Sequence, residues 1–165
     1  MFARGTGRAE IFGDDSDRST YLGLLGGVVV HWKWRCLAYC LMPNHVHVLI
    51  ELREPTLSVG MQPLHGTYAR DFNERHDRRG HVFESRFGSV AIRDDAQLLT
   101  VLHYIAANPV KAGLCADERH WPWSSHGAVS RGAAPRWLDH ARVREYLAGW
   151  ATDLRVVYDS LAEAA

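Results

Sequence analysis

Two strand-like segments joined by a very short link are the strongest constraint on the fold of this chain. Residues 34–42 are mostly apolar, and residues 45–52 alternate so that Val46 and Val48 share one face of a strand. Between them, residues 42–44 (Met-Pro-Asn) have the composition of a turn. Two strands separated by so few residues predict an antiparallel hairpin.

The order of the predicted elements indicates the fold class. Helix, strand, strand, helix, strand, helix is the order of a ferredoxin-like α+β sandwich, an antiparallel sheet with helices on one face, without its first strand. That first strand would have to come from about residues 1–4, so we expect it to be short or truncated. Pro63 is expected to interrupt the second helix, and Pro109 to limit the third. The helices are predicted at 14–32, 57–76 and 94–107, and the last strand at 82–83 and 87–92.

The C-terminal part of the chain is predicted to be a helical extension of the main domain. We assign residues 1–126 to that domain and residues 127–165 to the extension. A loop is expected at 115–135, followed by helices at 137–147 and 154–164.

Composition narrows the class of protein. No apolar stretch approaches the roughly 20 residues that span a bilayer, and the N-terminus lacks the apolar segment of a signal peptide. A cytoplasmic location without a membrane partner is therefore the default expectation. The net charge of zero argues weakly against a nucleic-acid partner, but all except two of the 19 basic residues are arginine. Arginine pairs with phosphates through two parallel hydrogen bonds.

His45 and His47 are the sharpest candidates for chemistry. Alternate residues of a strand point to the same face, so their imidazoles project side by side and could hold one divalent metal. Taken alone, a His-x-His pattern is common, and two surface histidines would explain it equally well. Tyr104 and Asn108 lie four apart on one line of the third predicted helix. The Asn108 amide oxygen would suit Mg²⁺ or Mn²⁺, while a lone Tyr104 is more often a packing residue.

Five ordered segments carry a family resemblance. Residues 38–49 resemble the His-hydrophobic-His core of the REP-associated tyrosine transposases, which belong to the HUH single-tyrosine transposases of insertion sequences. Residues 104–114 resemble that family's catalytic helix, which opens with the nucleophilic tyrosine. Three further segments resemble the family in the same order, at 14–18, 80–87 and 121–125. The resemblance covers roughly residues 4–126 and is far more specific than one His-x-His pair.

The resemblance implies a metal-dependent endonuclease and transposase that acts on single-stranded DNA. The family cleaves beside palindromic hairpins with a short guide sequence, through a 5′-phosphotyrosine intermediate, and then rejoins the strand. In this sequence the nucleophile position falls on Tyr104, and the ligands of Mg²⁺ or Mn²⁺ fall on His45, His47 and Asn108. A monomer is expected by resemblance to this branch, although other branches are dimers.

Basic and aromatic side chains near these segments are candidates for DNA binding. Trp121 and Trp123 could stack on unpaired bases, or they could instead pin the C-terminal segment to the core. The basic residues could equally be surface groups without a role. The candidate phosphate contacts are Arg4, Arg8, Arg86, Arg93 and Lys111.

Two other functions fit parts of the sequence. A decayed or domesticated relative would bind DNA hairpins without cutting them, which the short first strand favours and the intact candidate site disfavours. A nucleotide hydrolase with a histidine triad would need a third alternating histidine, and Leu49 stands at that position.

Overall fold

The computed structural model describes residues 1–148 and contains a three-stranded antiparallel sheet with helices packed against it. The α+β class and the antiparallel sheet are confirmed. None of the helices in this part of the chain is long and apolar enough to cross a membrane. The strands are β1 (Phe2–Arg4), β2 (Arg35–Met42) and β3 (His45–Glu51); the helices are α1 (Asp15–His31), α2 (Leu57–Arg75), α3 (Asp95–Lys111), α4 (Ser125–Ser130) and α5 (His140–Leu147), with 3-10 turns at Thr6–Arg8 and Glu118–His120.

The predicted hairpin is formed by β2 and β3, with Met42 opposite His45 and Cys40 opposite His47. β1 pairs with the other side of β3, so β3 is the central strand of the order β1-β3-β2. The expected short first strand is confirmed, since β1 has three residues. Because β3 is bonded on both sides, the face to which each of its side chains points is fixed.

The last strand predicted at 82–83 and 87–92 is wrong as a continuous element. This segment runs beside residues 2–5 and pairs with them through two isolated bridges, Phe2 with Gly88 and Gly5 with Phe83. A Cβ atom at position 88 would lie 2.3 Å from the Phe2 ring, so a larger residue there would have to displace that ring. The three residues of β1 offer too few backbone groups to hold a longer partner strand.

Helices cover both faces of the sheet, which differs from the single covered face that we expected. α1 and α2 pack on the face that carries Val46 and Val48, whereas α3 and α5 pack on the face that carries Leu49. The reason lies in β2, whose last seven residues are all buried. A strand that is apolar on both sides needs cover on both sides.

The predictions for the two internal prolines are wrong: Pro63 does not interrupt the second helix, and Pro109 does not limit the third. α2 runs through Pro63, and α3 continues past Pro109 to Lys111. Pro63 has no N–H group, so the Val59 carbonyl lacks its usual helix donor. Val59 is exposed, so water can take that bond. Beyond Pro109, the Asn108 and Pro109 carbonyls accept hydrogen bonds from the amides of Ala112 and Leu114, which close the last turn.

The loop predicted at 115–135 is also wrong, because it contains a 3-10 turn and α4. The Ser124 hydroxyl accepts a hydrogen bond from the Gly127 amide and so begins α4. α5 begins at His140, later than predicted, because Asp139 caps it. The boundary expected after residue 126 falls within α4 and stays a prediction. The helix expected at 154–164 lies outside the described residues.

An ionic cluster joins the start of α1 to the end of α2. Asp14 caps α1 and pairs with Arg75. The Asp17 carboxylate is only 3% exposed and accepts hydrogen bonds from Arg75 at 2.5 Å and from the Gly13 amide at 2.7 Å. The His76 ring lies 2.8 Å from the same carboxylate. A charge buried this deeply needs its partners, since an unpaired one is strongly destabilising.

Replacing Arg75 with methionine is expected to lower the free energy of unfolding more than its matched control does, because the Asp17 carboxylate stays buried and loses its arginine partner. The matched control is Arg70→Met on the same helix, where an exposed arginine pairs with its neighbour Asp71 and the expected loss is below about 0.5 kcal/mol. Urea denaturation at neutral pH compares the two variants. Equal losses would contradict a special role for the Asp17 contact.

His65 is a buried histidine that ties α2 to α1 and to the segment that follows α2. Its Nε2 atom lies 3.1 Å from the Tyr21 hydroxyl, and its Nδ1 atom lies 3.0 Å from the Arg86 carbonyl oxygen. The ring stacks on Phe83 with the centroids 4.4 Å apart. Burial lowers the pKa of His65 to about 4, so the folded protein holds this ring neutral.

Acid is expected to weaken the fold through His65. An unfolded histidine takes up a proton near pH 6.5, whereas the folded ring resists until about pH 4. The unfolded state therefore binds more protons, and the free energy of unfolding falls by about 2 kcal/mol between pH 7.5 and pH 5. Urea denaturation of the wild type and of His65→Gln at both pH values measures this effect. Equal acid sensitivity of the two proteins would show that His65 is not its source.

Candidate active site

Three aromatic side chains come together on one face of β3. The ring centroids of His45 and His47 are 5.0 Å apart, and those of His47 and Tyr104 are 5.2 Å apart. The two histidines project side by side because they alternate with Val46, which is fully buried in the opposite core. The side chains that we expected to converge, from β3 and from α3, are thus neighbours in the structure.

α3 brings Tyr104 to the histidines because its apolar stripe packs against the sheet. Leu102 and Ile105 are buried in the same cluster as Leu49 of β3. Tyr104 lies beside this stripe and keeps 45% of its surface exposed, so a substrate can reach it from solvent. Asn108 follows one turn later on the same line of the helix.

The surroundings of the histidine pair keep both rings neutral. Burial, the neighbouring His45 and the charges of the amino terminus and Arg4 lower the pKa of His47 to about 4. Burial and the charge of Arg4 also lower the pKa of His45. A neutral imidazole has a free lone pair, which is the form that binds a metal.

The polar atoms around the pair fit a bound cation. His47 Nε2 is buried and has no hydrogen-bond partner within residues 1–148. A buried polar atom is rarely left in this state without a ligand or water. Within the same residues no third His, Cys, Asp or Glu joins the two histidines. The Asn108 amide is the side chain next to them that offers oxygen, a hard donor that Mg²⁺ and Mn²⁺ accept.

Of the basic candidates, Arg4 is the one that the structure brings to the histidines. It pairs directly with His45 across β1 and β3, so both side chains leave the sheet on the same face. Lys111 is exposed near the end of α3, about 10 Å along the helix from Tyr104. Its charge contributes, after burial, to the lowered pKa of His103.

Arg86 and Arg93 each line a separate cleft. Arg86 is exposed and lines a cleft of about 720 Å³ between α2 and residues 80–87. Arg93 precedes α3 and lies about 16 Å along that helix from Tyr104. It lines a second cleft, of about 460 Å³. Their roles as phosphate contacts stay predictions, as does that of the exposed Arg8.

Trp121 and Trp123 pack along the outer edge of β2. The Trp121 indole donates a hydrogen bond of 3.1 Å to the Leu41 carbonyl, and the Trp123 carbonyl accepts one of 2.9 Å from the Leu41 amide. Both side chains are half-buried, and the Arg18 guanidinium lies 5.8 Å from the Trp123 ring. These contacts pin the segment before α4 to the sheet. Stacking of either indole on DNA stays a prediction.

Sequence reasoning missed Asn44, which we assigned only to a turn. Its side-chain oxygen lies 2.7 Å from His45 Nδ1, so it contacts a candidate metal ligand directly. The available signal was an asparagine immediately before the His-x-His pair. Turn composition explained that residue fully, and the direction of its side chain depends on tertiary structure.

The chain is similar to known transposases. The model of the IS200-like transposase family matches residues 3–108, which is more than half of the chain. A Haemophilus influenzae protein (strain ATCC 51907 / DSM 11121 / KW20 / Rd) assigned to the REP-associated tyrosine transposases is 30% identical over 106 residues. That match covers 58% of this chain and 60% of the relative, so the chain spans under two thirds of the relative's length.

A solved structure has a similar fold. It is that of a REP-associated tyrosine transposase bound to a REP hairpin, with a TM-score of 0.63 and 22% sequence identity. The match covers 81% of this chain and 80% of that one. The family match includes β1, both strands of the hairpin and α3 as far as Asn108. The chain therefore belongs to the IS200-like transposase family and resembles its REP-associated tyrosine branch.

Proposed function

We propose that this chain is a metal-dependent endonuclease and transposase that cuts and rejoins single-stranded DNA beside a hairpin. The observation that carries the proposal is the cluster of His45, His47 and Tyr104, whose neighbouring ring centroids lie 5.0 and 5.2 Å apart. A nucleophilic hydroxyl beside two neutral imidazoles is an arrangement suited to phosphoryl transfer.

The residues that would hold the metal are His45, His47 and Asn108. In support, both imidazoles are neutral at pH 7, and His47 Nε2 is buried without a partner. A bound Mg²⁺ or Mn²⁺ would polarise the phosphodiester and stabilise the charge that develops on its oxygens. The protein's own contribution is to keep these donors fixed on a strand that is bonded on both sides.

Tyr104 would attack the phosphorus atom of the DNA. The attack forms a bond between the phenolic oxygen and phosphorus and breaks the bond to the 3′ oxygen. The phenol gives up its proton, and the 3′ oxygen leaves as a hydroxyl, so the DNA stays attached through a 5′-phosphotyrosine. In the reverse step a 3′-hydroxyl attacks the same phosphorus and releases Tyr104, which rejoins the strand without an external energy source.

The proposed substrate is a palindromic DNA hairpin with a flanking guide sequence. Support comes from the similar solved structure, whose transposase is bound to a REP hairpin. Arg4, which leaves the sheet beside His45, is the best-placed side chain for a phosphate near the reacting bond. We expect the chain to act as a monomer, with a dimer as the alternative.

Replacing Tyr104 with phenylalanine is expected to abolish the covalent adduct while hairpin binding survives, because only the nucleophilic oxygen is lost. Labelled hairpin DNA is incubated with the protein and Mn²⁺, and the adduct is detected as a band that resists boiling in detergent. The matched control is Tyr146→Phe on α5, whose hydroxyl bonds to Glu51; this variant should still form the adduct.

Two outcomes would overturn the proposed reaction. A wild-type protein that binds the hairpin but never forms the adduct is a DNA-binding relative without cleavage. An adduct that persists in Tyr104→Phe means that another group is the nucleophile.

Replacing His45 with alanine is expected to remove Mn²⁺ binding and cleavage together, because one of two imidazole ligands is lost. The drop in Mn²⁺ affinity is expected to exceed the roughly 10- to 100-fold that the loss of an outer hydrogen bond to a ligand causes. The control is His103→Ala, since His103 neighbours Tyr104 in sequence but points about a third of a turn away. Electron paramagnetic resonance counts free Mn²⁺ in the absence of DNA. Unchanged affinity in His45→Ala would remove that residue from the metal site.

A further inference from the structure

The Asn44 side chain connects the histidine pair to the segment after β1. It occupies the turn between β2 and β3 and makes two side-chain contacts. Its Nδ2 atom donates a hydrogen bond of 3.1 Å to the Arg8 carbonyl oxygen. Its Oδ1 atom lies 2.7 Å from His45 Nδ1. The side chain thus bridges a backbone acceptor and an imidazole.

The two contacts together determine where the His45 proton lies. A backbone carbonyl only accepts, so the amide NH₂ group of Asn44 must face Arg8. The amide oxygen then faces His45 and needs a donor there. His45 Nδ1 must therefore carry the proton, and in the neutral ring the lone pair lies on Nε2.

The Arg8 carbonyl is itself held in place by a tight backbone turn. Gly7 and Arg8 both have left-handed φ angles, of 61° and 63°. The Gly5 amide donates to the Asn44 carbonyl, and the Ile11 amide donates to the Pro43 carbonyl, each at 2.9 Å. The segment is thus fastened to the β2–β3 turn on both sides of Arg8, which prevents the acceptor from turning away.

We propose that Asn44 is a positioning residue that fixes His45 in its Nδ1–H tautomer and directs the Nε2 lone pair to the site shared with His47 and Asn108. The step from tautomer to metal affinity rests on the proposed function. Without an acceptor at Nδ1, the ring would populate both tautomers and rotate more freely. Outer hydrogen bonds of this kind typically change metal affinity by about 10- to 100-fold.

The tautomer is measured directly in the metal-free wild-type protein. Nitrogen-15 imidazole spectra at pH 7.5 distinguish a protonated Nδ1 from a protonated Nε2. We expect the His45 signals of the Nδ1–H form. A His45 ring with its proton on Nε2 would overturn the inference, because Asn44 would then not be its acceptor.

Two variants test the consequence for the metal. Asn44→Ala is expected to give mixed tautomers and to weaken Mn²⁺ binding by about 10- to 100-fold. Asn44→Asp loses the bond to the Arg8 carbonyl but keeps an acceptor at Nδ1, so we expect the Nδ1–H form to return and Mn²⁺ to bind more tightly than in Asn44→Ala. The matched control is Asn73→Ala. It also removes a side-chain hydrogen bond to a loop carbonyl, that of Gly80, but away from the site. This variant should change neither the tautomer of His45 nor the Mn²⁺ affinity.

The outcomes separate this inference from the proposed function. Failure of the wild type to bind Mn²⁺ would end the proposed metal chemistry, while the tautomer spectrum would still decide the role of Asn44. Normal Mn²⁺ binding by a folded Asn44→Ala protein would overturn the effect on affinity alone. If Asn44→Ala does not fold, the wild-type spectrum and Asn44→Asp carry the test.

Discussion

The alternation of side chains along β3 is the constraint on which the rest of the site depends. Val46 and Val48 are almost completely buried against α1 and α2, so His45 and His47 must leave the strand on the other face. β3 is the central strand and is bonded to β1 and β2, so a shift of register would break two ladders at once. Core packing on one face thus fixes the positions of the two histidines on the other.

The opposite face becomes a site because it is only partly closed. α3 and α5 cover Leu49 and the neighbouring apolar side chains, and Tyr104 of α3 lies beside the His47 ring. Burial there is deep enough to hold His47 neutral, yet Tyr104 stays accessible to a large substrate. β1 adds the charge of Arg4 beside the pair, and the β2–β3 turn adds Asn44 as a hydrogen-bond acceptor.

Sequence reasoning succeeded where the determining signal is local. The hairpin and the shared face of His45 and His47 follow from turn composition and strand alternation. It failed where tertiary contacts decide. The cover on both faces follows from the depth of β2 in the core, and α3 continues past Pro109 because later amides bond its last carbonyls. The contact of Asn44 with His45 depends on the Arg8 carbonyl, 36 residues away in the chain.

The most direct test is a crystal structure of the protein with Mn²⁺ and a hairpin oligonucleotide. We expect one anomalous manganese peak at ~2.2 Å from an imidazole nitrogen of each of His45 and His47. We also expect the Tyr104 oxygen within ~3.5 Å of a phosphorus atom, as an attacking group requires. Manganese bound elsewhere, or a Tyr104 oxygen that points away from the DNA, would show that these side chains do not form the active site.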